Sequence, residues 1–436
     1  MNWAGSSTAK GYQNYNWKYT LQIAEIRLMN KRIGYFAPEF PGQTHIFLWR
    51  ERQALAELGI EADLVSTRCP PTAVASHSWT KEAQENTVYL VPLTLVDVIG
   101  IVLELLIAGP IAWFKCLSII VKANDTSFKQ KLRLFALIFF AAKLVRLAKS
   151  KGWKHIHVPS CADAANIAMF ASILGGFTYS LSLLGPTLEG YGPNQEQKWQ
   201  HSAFALVISE TLFKVVNERL AHVRPEQVVI ASVGVNLDEI KRSSPYVPWE
   251  SGICKLYCCG RLNPVKGYKY LIETVALLRQ RGFDIRLQVA GEDEKGGTGY
   301  RRELEKLIQD KKMSNYIELI GAVSEARNRQ CLEEAHLFTL ASLNEGISVA
   351  LMEAMAMEMP VVVTDVGGNY ELVDDNINAL LVQPEKPEEM ADAIQKILQD
   401  KELALRLSHD SRQKVATKFH HRVSAEALSK CLETLA

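Results

Sequence analysis

Two neighbouring runs decide the fold of this 436-residue chain. They read E-G-I-S-V-A-L-M-E from Glu345 to Glu353 and P-V-V-V-T-D-V-G-G from Pro360 to Gly368. The first follows an apolar strand pattern and opens a helical run at residues 348–358, and the second contains a short β-branched strand. Buried strands that alternate with helices are the units of a parallel α/β sheet covered on both faces.

The same alternation extends from Lys31 toward the C-terminus. We predict an α/β protein with two Rossmann-like doubly wound domains that face a central cleft, over residues 29–245 and 246–420, followed by a C-terminal helix at 421–436. The stretch 241–252 is the predicted linker because it combines two prolines, a glycine and three serines. The predicted strands are 32–37, 60–66, 155–158, 178–184, 205–209, 228–231, 255–259, 285–290, 317–320, 337–341 and 361–364.

The charge balance argues against a nucleic-acid partner. The chain has 49 Lys and Arg against 48 Asp and Glu, a net charge of +1, and so lacks the bulk positive field that nucleic-acid-binding proteins use. Residues 1–245 hold 25 basic and 19 acidic residues, and the remainder holds 24 and 29. A basic first half and an acidic second half indicate two domains with different partners.

Cysteine usage and the N-terminus favour a cytoplasmic location. The eight cysteines form no Cys-x-x-Cys pair and no zinc spacing, and several stand in apolar runs, as thiols do in a reducing compartment. The polar N-terminus lacks the apolar segment of a signal peptide. Because the strand pattern begins only at Lys31, we interpret residues 1–28 as an extension, or Met29 as the true start.

Residues 88–154 form an apolar and basic region. Residues 88–121 are very apolar, but Asp97 and Glu104 argue against a membrane-spanning helix because a charge inside a bilayer costs about 2.5–3.5 kcal/mol. Residues 122–154 carry nine basic residues and one acid, interleaved with leucine and phenylalanine. We predict a segment that lies on the inner face of the cell membrane and meets anionic lipid. A core helix with a solvated basic face is the alternative.

Four charged side chains of the C-terminal domain carry the functional hypothesis. Glu345 and Glu353 are eight positions apart, about two helical turns, so both can face one cleft and accept hydrogen bonds from sugar hydroxyls. Gly346 has no Cβ, so the backbone there can approach a phosphate closely. In the run C-G-R-L-N-P-V-K-G, Arg261 and Lys266 suit phosphate oxygens. The carboxylates could instead be a helix cap and a solvated residue, and the cations surface residues.

These runs resemble glycosyltransferase family 4. The resemblance rests on G-R-L-x-P-x-K-G at residues 260–267, E-G-x-S-x-x-x-x-E at 345–353, P-V-V-V-T-D-V-G-G-x-x-E-L-V at 360–373 and N-A-L-L-V at 378–382. The resemblance covers most of residues 31–420. Within the family, the sequence is similar to group 1 glycosyl transferases of the exopolysaccharide and colanic acid type. This resemblance implies the GT-B fold and retaining hexosyl transfer from a UDP- or GDP-sugar to a glycan or lipid-linked acceptor.

The resemblance also implies roles for individual residues. Arg261 and Lys266 would hold the donor diphosphate and act in catalysis with Glu345. Glu345 would contact the sugar hydroxyls, and Glu353 the ribose. Enzymes of this fold usually need no bound metal, because cations and a helix dipole carry the diphosphate charge, and we expect no cofactor. The donor-binding residues would be Gly260, Arg261, Lys266, Glu345, Gly346, Ile347, Ser348 and Glu353.

The N-terminal domain resembles the family more loosely. The run F-P-G-Q-T-H-I-F at residues 40–47 would be the loop beside donor and acceptor, with Gly42, Thr44 and His45 on the acceptor side. His157 ends a predicted strand where relatives also carry histidine, which makes it a candidate catalytic residue. A buried structural imidazole is the alternative for His157.

One position departs from the family pattern. Residues 181–186 read L-S-L-L-G-P, and relatives carry a histidine at the place of Leu184. Leucine neither donates nor accepts a hydrogen bond, and positioned proton-transfer groups contribute about 10²–10⁴-fold in rate where they act. Reduced activity, substitution by His45 or His157, or a different donor would each account for the change. The alternative function is a non-catalytic or impaired nucleotide-sugar-binding partner of the same fold.

Overall fold

The computed structural model describes residues 31–42, 45–70, 79–185, 187–293 and 297–435. The predictions for residues 1–28 and for Thr44 lie outside these described residues. Within them the chain forms two parallel sheets, each flanked by helices, which confirms the predicted fold class.

The N-terminal domain contains the first sheet. Its strands are β1 Lys31–Glu39, β2 Ile60–Arg68, β3 Val88–Tyr89, β4 His155–Val158, β5 Thr178–Leu183, β6 Ala205–Val207 and β7 Val228–Ile230. Its helices are α1 Ile46–Glu57, α2 Thr80–Glu85, α3 Leu95–Lys122, α4 Phe128–Lys151, α5 Asp163–Gly175, α6 Gln195–Gln200 and α7 Glu210–Arg219. The strand order β3-β2-β1-β4-β5-β6-β7 reverses between β1 and β4, and such a switch point opens a crevice at the carboxyl ends of the strands.

The C-terminal domain repeats this plan. Its strands are β8 Cys254–Cys259, β9 Ile285–Ala290, β10 Ile317–Gly321, β11 Leu337–Leu340, β12 Val361–Thr364 and β13 Leu380–Val382. Its helices are α8 Tyr268–Gln280, α9 Tyr300–Asp310, α10 Glu325–Glu334, α11 Val349–Ala356, α12 Asn369–Leu372, α13 Pro387–Gln399 and α14 Lys401–Lys418. The order β10-β9-β8-β11-β12-β13 places its switch point between β8 and β11.

The central strands are buried on both faces. Every residue of β4, β11 and β12 is buried, and all of the strand pairs are parallel in the described residues. The predicted helix start at residue 348 is wrong, because α11 begins at Val349. Lys266 ends a 3₁₀ turn, and α8 begins at Tyr268. Ser348 is the N-cap of α11, and Gly267 is the N-cap of α8.

The chain returns to the N-terminal domain at its end. Helix α15, Val423–Glu433, buries Ala425, Leu428 and Leu432 in the same apolar cluster as Leu48 and Leu55 of α1. The predicted linker at residues 241–252 contains neither strand nor helix. It packs on the C-terminal domain, where the Arg242 guanidinium donates to the carbonyl of Glu333 at 2.8 Å. The two domains on either side of the cleft are therefore connected twice, by the linker and by the segment that leads to α15.

Candidate active site

Lys266 and Glu345 meet at the carboxyl ends of β8 and β11. Lys266 closes the turn Pro264–Lys266, and its Nζ lies 2.6 Å from Oε1 of Glu345. Ser342 Oγ donates to the same oxygen at 2.7 Å. Glu345 is buried, so the ion pair is shielded from water, which strengthens its Coulomb attraction. Glu345 is therefore not a helix cap, and the structure brings together the two residues that the sequence placed in one site.

Glu353 joins the two domains. Its Oε1 accepts a hydrogen bond from Arg50 of α1 at 3.2 Å, and its Oε2 accepts one from the amide of Asn328 in α10 at 3.0 Å. The side chains of Arg50 and Glu353 are only 6% and 14% exposed, so Glu353 is not a solvated helix residue. Arg50 also lines an open interdomain cavity of about 420 Å³, opposite Ser324 and Glu325. The sequence did not indicate Arg50, because it lies 303 positions from Glu353 and belongs to no recognised motif.

The residues between the two carboxylates form the start of α11. Ser348 is the N-cap, and its Oγ accepts a hydrogen bond from the backbone N–H of Leu351 at 3.3 Å. The first turn of such a helix presents backbone N–H groups that the helix itself does not use. A Cβ on Gly346 would lie 2.6 Å from the carbonyl oxygen of Leu184. The two domains therefore touch at Gly346, beside the buried Ile347.

Gly260 and Arg261 border the same site. The carbonyl of Gly260 accepts a hydrogen bond from the Tyr268 hydroxyl at 2.7 Å, and a Cβ on Gly260 would lie 3.8 Å from Cε of Lys266. The Arg261 side chain is exposed, and its charge contributes to the lowered pKa of His45 in the other domain. Lys266 and Arg261 are thus two cations of the segment that follows β8, one paired with the buried Glu345 and one close enough to His45 of the N-terminal domain to affect its pKa.

His45 is the histidine that the N-terminal domain places within range of Arg261. Its Nδ1 accepts a hydrogen bond from the backbone N–H of Gly42 at 3.1 Å, and its ring stacks on Phe40 at a centroid distance of 6.1 Å. Burial, with a contribution from Arg261, lowers the pKa of His45 to about 4. The imidazole is therefore neutral at pH 7, with its proton on Nε2, and can donate a hydrogen bond from that atom.

His157 is not available to a substrate. It is fully buried in β4, where Nδ1 lies 2.8 Å from Ser180 Oγ and Nε2 lies 3.0 Å from Ser182 Oγ. Ser180 Oγ also lies 2.8 Å from Nε2 of His155. Because both ring nitrogens are bonded to serines of β5, we correct the catalytic assignment of His157 and describe it as a structural imidazole.

These buried histidines predict that the N-terminal domain loses stability in mild acid. Burial lowers the pKa of both His155 and His157 to about 3, whereas an unfolded histidine has a pKa of about 6.5. The unfolded state therefore binds more protons, and the free energy of unfolding falls as the pH drops below about 6.5. Urea titrations at about pH 7 and pH 5.5 should differ by roughly 1 kcal/mol for each such histidine.

The contribution of His157 can be separated from the rest. In the His157→Gln variant the pH-dependent loss between about pH 7 and 5.5 should be smaller by roughly 1 kcal/mol. His409→Gln is the matched control, since the His409 side chain is 77% exposed, and it should leave that loss unchanged. Equal losses in the two variants would contradict the assignment of His157 as a buried neutral group.

Leu184 directly follows β5, and its partly buried side chain packs against the apolar core. The hydroxyl of Tyr191 lies against the backbone of Leu184 and Gly185, and burial raises its pKa. A tyrosine hydroxyl thus borders the position where relatives carry histidine. No sequence pattern indicated Tyr191, because the loop that carries it has no periodicity.

In the ranges that the structure describes, no group of three or more His, Cys, Asp and Glu side chains could hold a metal ion. That the reaction needs no metal stays an expectation. The arrangement offers two cations, a helix start and two partnered carboxylates to a ligand in the cleft. This combination suits an anion joined to a group rich in hydroxyls.

Residues 250–414 match the family model of the glycosyl transferases group 1. The match includes Lys266, Glu345 and Glu353. The chain is 30% identical over 170 residues to the alpha-D-kanosaminyltransferase of Streptomyces kanamyceticus, which covers 39% of this chain and 43% of that protein. It is 28% identical over 188 residues to the amylovoran biosynthesis glycosyltransferase AmsK of Erwinia amylovora, covering 42% and 45%. The chain thus spans less than half the length of these curated relatives.

The structural similarity to known proteins covers both domains. The crystal structure of the Anabaena HepE protein in complex with UDP and glucose superposes with a TM-score of 0.70 at 16% identity, covering 93% of this chain and all of that one. At this identity the likeness concerns the fold alone. The architecture is GT-B, with two Rossmann-like domains around a cleft.

Proposed function

We propose that this protein is a retaining glycosyltransferase that moves a sugar from a UDP- or GDP-sugar onto a glycan or lipid-linked acceptor in cell-surface polysaccharide biosynthesis. The observation that carries the proposal is the ion pair of Lys266 with the buried Glu345 at the cleft, inside the residues that match the group 1 family. The name of the amylovoran biosynthesis relative and the UDP and glucose of the HepE complex support it. A cytoplasmic location is supported by the free thiols of all eight cysteines.

Binding of the donor would change the contacts of two ion pairs, Lys266–Glu345 and Arg50–Glu353. Lys266, now on Glu345, would reach the diphosphate together with Arg261, and Glu345 would accept hydrogen bonds from the sugar hydroxyls. Glu353 is already oriented by Arg50 and would accept from the ribose. A carboxylate has more acceptor sites than one cation fills, so each can keep a partner and still bind a hydroxyl.

The reaction would break the bond between C1 of the sugar and the diphosphate oxygen and form a bond from C1 to an acceptor oxygen on the same face. The electron pair of the broken bond leaves with the diphosphate, which takes the proton of the acceptor hydroxyl. Lys266, Arg261 and the start of α11 stabilise the charge that develops on the leaving oxygen. The contact of the two domains at Gly346 helps to exclude water from the sugar.

His45 would supply the hydrogen bond that a leucine at position 184 cannot make. Of the two histidines that the sequence offered as substitutes, His157 is bonded to serines at both nitrogens. His45 is neutral, carries its proton on Nε2 and lies within range of Arg261. His45 can therefore donate a hydrogen bond to the nucleotide sugar. Because its pKa is lowered, its protonation state stays the same above about pH 5.

Nucleotide binding gives the direct test. UDP at about 100 times its dissociation constant should stabilise the protein by about 2.7 kcal/mol, which raises the midpoint of thermal unfolding by roughly 3 °C. GDP is assayed in parallel, and the nucleotide that stabilises more is then compared with its sugar conjugates. Intrinsic fluorescence during heating provides the measurement.

Two variants, each of which removes one carboxylate, test where the nucleotide binds. Glu353→Gln should weaken the nucleotide about tenfold, because the ribose loses a charged acceptor. Glu388→Gln removes an exposed carboxylate of α13 and should leave the shift unchanged. If no nucleotide or nucleotide sugar stabilises the folded protein, the proposed function is wrong.

A further inference from the structure

Helix α3 carries a surface that the catalytic proposal does not use. In the part of the chain that the structure describes, it is the one helix long and apolar enough to cross a membrane, yet only 28% of its most apolar window is buried. It is broken at Gly109, whose φ is 75°, and at Pro110. Each half is roughly 20 Å long, which is shorter than the hydrocarbon core of a bilayer at about 30 Å. The bend therefore favours a helix that lies on a membrane over one that crosses it.

The solvent side of α3 is a continuous apolar face on both sides of the bend. Its residues are 54–73% exposed. The indole N–H of Trp113 donates to the carbonyl of Leu105 at 3.1 Å and so satisfies a backbone group that the bend frees. Soluble monomers rarely expose apolar patches of this extent. The apolar face consists of Ile99, Leu103, Leu106, Ile107, Ile111 and Phe114.

The two acids of α3 are neutralised on the opposite side. Asp97 lies 3.1 Å from Lys143 of α4, and Glu104 pairs with Lys149 of the same helix. Asp97 also caps α3, and hydrogen bonds from Thr94, with Lys143, lower its pKa to about 2. The pairing turns both carboxylates toward α4 and away from the apolar face.

Cations border the apolar face where the acids are absent. Lys115 and Lys122 are exposed in the second half of α3, and Lys129 follows after the turn. Asp125, the acid of that turn, accepts a hydrogen bond from the backbone N–H of Asn194 at 2.7 Å. An open groove of about 600 Å³ lies between Lys115 and Lys122 on one side and the α6 segment with Gln197, Gln200 and His201 on the other. The surface of the groove is mainly apolar and includes Ile111 and Phe114 of the apolar face, and Lys115 and Lys122 beside it suit a phosphate headgroup.

We propose that α3 lies in the plane of an anionic phospholipid surface. The apolar face enters the boundary between headgroups and acyl chains, and Lys115 and Lys122 meet lipid phosphates. The charge pattern selects this occupant, because a neutral apolar partner would gain nothing from a rim of lysines. The inference goes beyond the proposed sugar transfer, and its test needs no turnover.

Vesicle flotation with the full chain tests the apolar face. The protein should float with vesicles of phosphatidylcholine containing about one third phosphatidylglycerol, and the Ile111→Glu/Phe114→Glu variant should bind at least about tenfold more weakly. Val247→Glu/Ile377→Glu is the matched control, since these side chains are 69% and 56% exposed on other surfaces. The control should bind like the unchanged protein, and thermal unfolding confirms that both variants fold.

The lysine rim is tested with charge and salt. Lys115→Gln/Lys122→Gln should weaken binding about tenfold to the anionic vesicles and not to pure phosphatidylcholine, and about 0.5 M salt should remove most of that difference. Undiminished binding of the Ile111→Glu/Phe114→Glu variant would overturn the proposal. If the protein resists alkaline extraction from membranes, α3 spans the bilayer. If the unchanged protein does not bind vesicles but forms dimers that the Ile111→Glu/Phe114→Glu variant dissociates, the apolar face is covered by a second copy of the chain. Either result would also overturn it.

Discussion

Replacing Lys266 with alanine should lower sugar transfer about 10³-fold, because the leaving diphosphate loses the cation placed to receive its charge. Release of nucleoside diphosphate from the nucleotide sugar is the measurement, and it needs no identified acceptor. The structure supports a large effect, since Nζ is held 2.6 Å from the buried carboxylate of Glu345 and the Lys266 side chain is itself mostly covered. Lys269→Ala is the matched control, because Lys269 is exposed near the start of α8, and it should keep the full rate.

A second variant separates chemistry from folding. Removing one partner of a buried ion pair leaves the other charge uncompensated and costs about 3–5 kcal/mol where the pair is fully buried. Lys266→Ala/Glu345→Gln removes both charges, so it should regain most of the unfolding free energy that Lys266→Ala loses. Its transfer rate should stay low. Recovery of the rate together with stability would show that Lys266 only supports the fold.

The sequence placed Lys266 and Glu345 in one site because each follows a strand of clear pattern. Runs of buried β-branched residues such as Val361–Thr364 allow few other structures, and parallel strands bring their carboxyl ends to one edge. Strands without such a run were missed. Val88–Tyr89 has two residues at the border of an apolar stretch, and Leu380–Val382 has three. Their positions depend on the neighbouring strand rather than on their own composition.

The contacts between the domains could not be predicted. Arg50 reaches Glu353 only because α1 and α11 face each other across the cleft, and neither helix pattern contains that information. His157 shows the converse case, since its position in a strand is visible in the sequence but its serine partners are not. A side chain at a strand end becomes a candidate by location, and its hydrogen-bond partners decide what it does.

The apolar and basic region shows that the number of charges in a segment does not determine which surface they reach. The sequence contains Asp97 and Glu104 inside an apolar run, which argues against insertion of an unpaired charge into lipid. Their pairing with Lys143 and Lys149 removes that cost on one side of α3 and leaves the other side apolar. The number of charges is visible in the sequence, whereas the packing of α3 on α4 decides which surface they reach.

Gly367→Ala should lower the free energy of unfolding by roughly 3–5 kcal/mol and the midpoint of thermal unfolding by about 3–5 °C. Gly367 has a φ of 53°, and a Cβ there would lie 1.7 Å from the carbonyl oxygen of Glu345. That carbonyl also accepts the N–H of Gly368 at 3.1 Å. The methyl group must therefore push apart the loop that holds the Glu345 carboxylate, and the transfer rate should fall with stability.

Gly252→Ala distinguishes this close approach from the cost of the backbone conformation alone. Gly252 has a φ of 77°, and a Cβ there would meet nothing within 4 Å, so the substitution should cost only about 1–2 kcal/mol and leave the rate unchanged. The excess loss in Gly367→Ala measures how firmly the loop at residues 367–368 fixes Glu345. If the two variants lose equal stability and both keep their rate, the loop yields to a methyl group, and Glu345 owes its position to Lys266 and Ser342 instead.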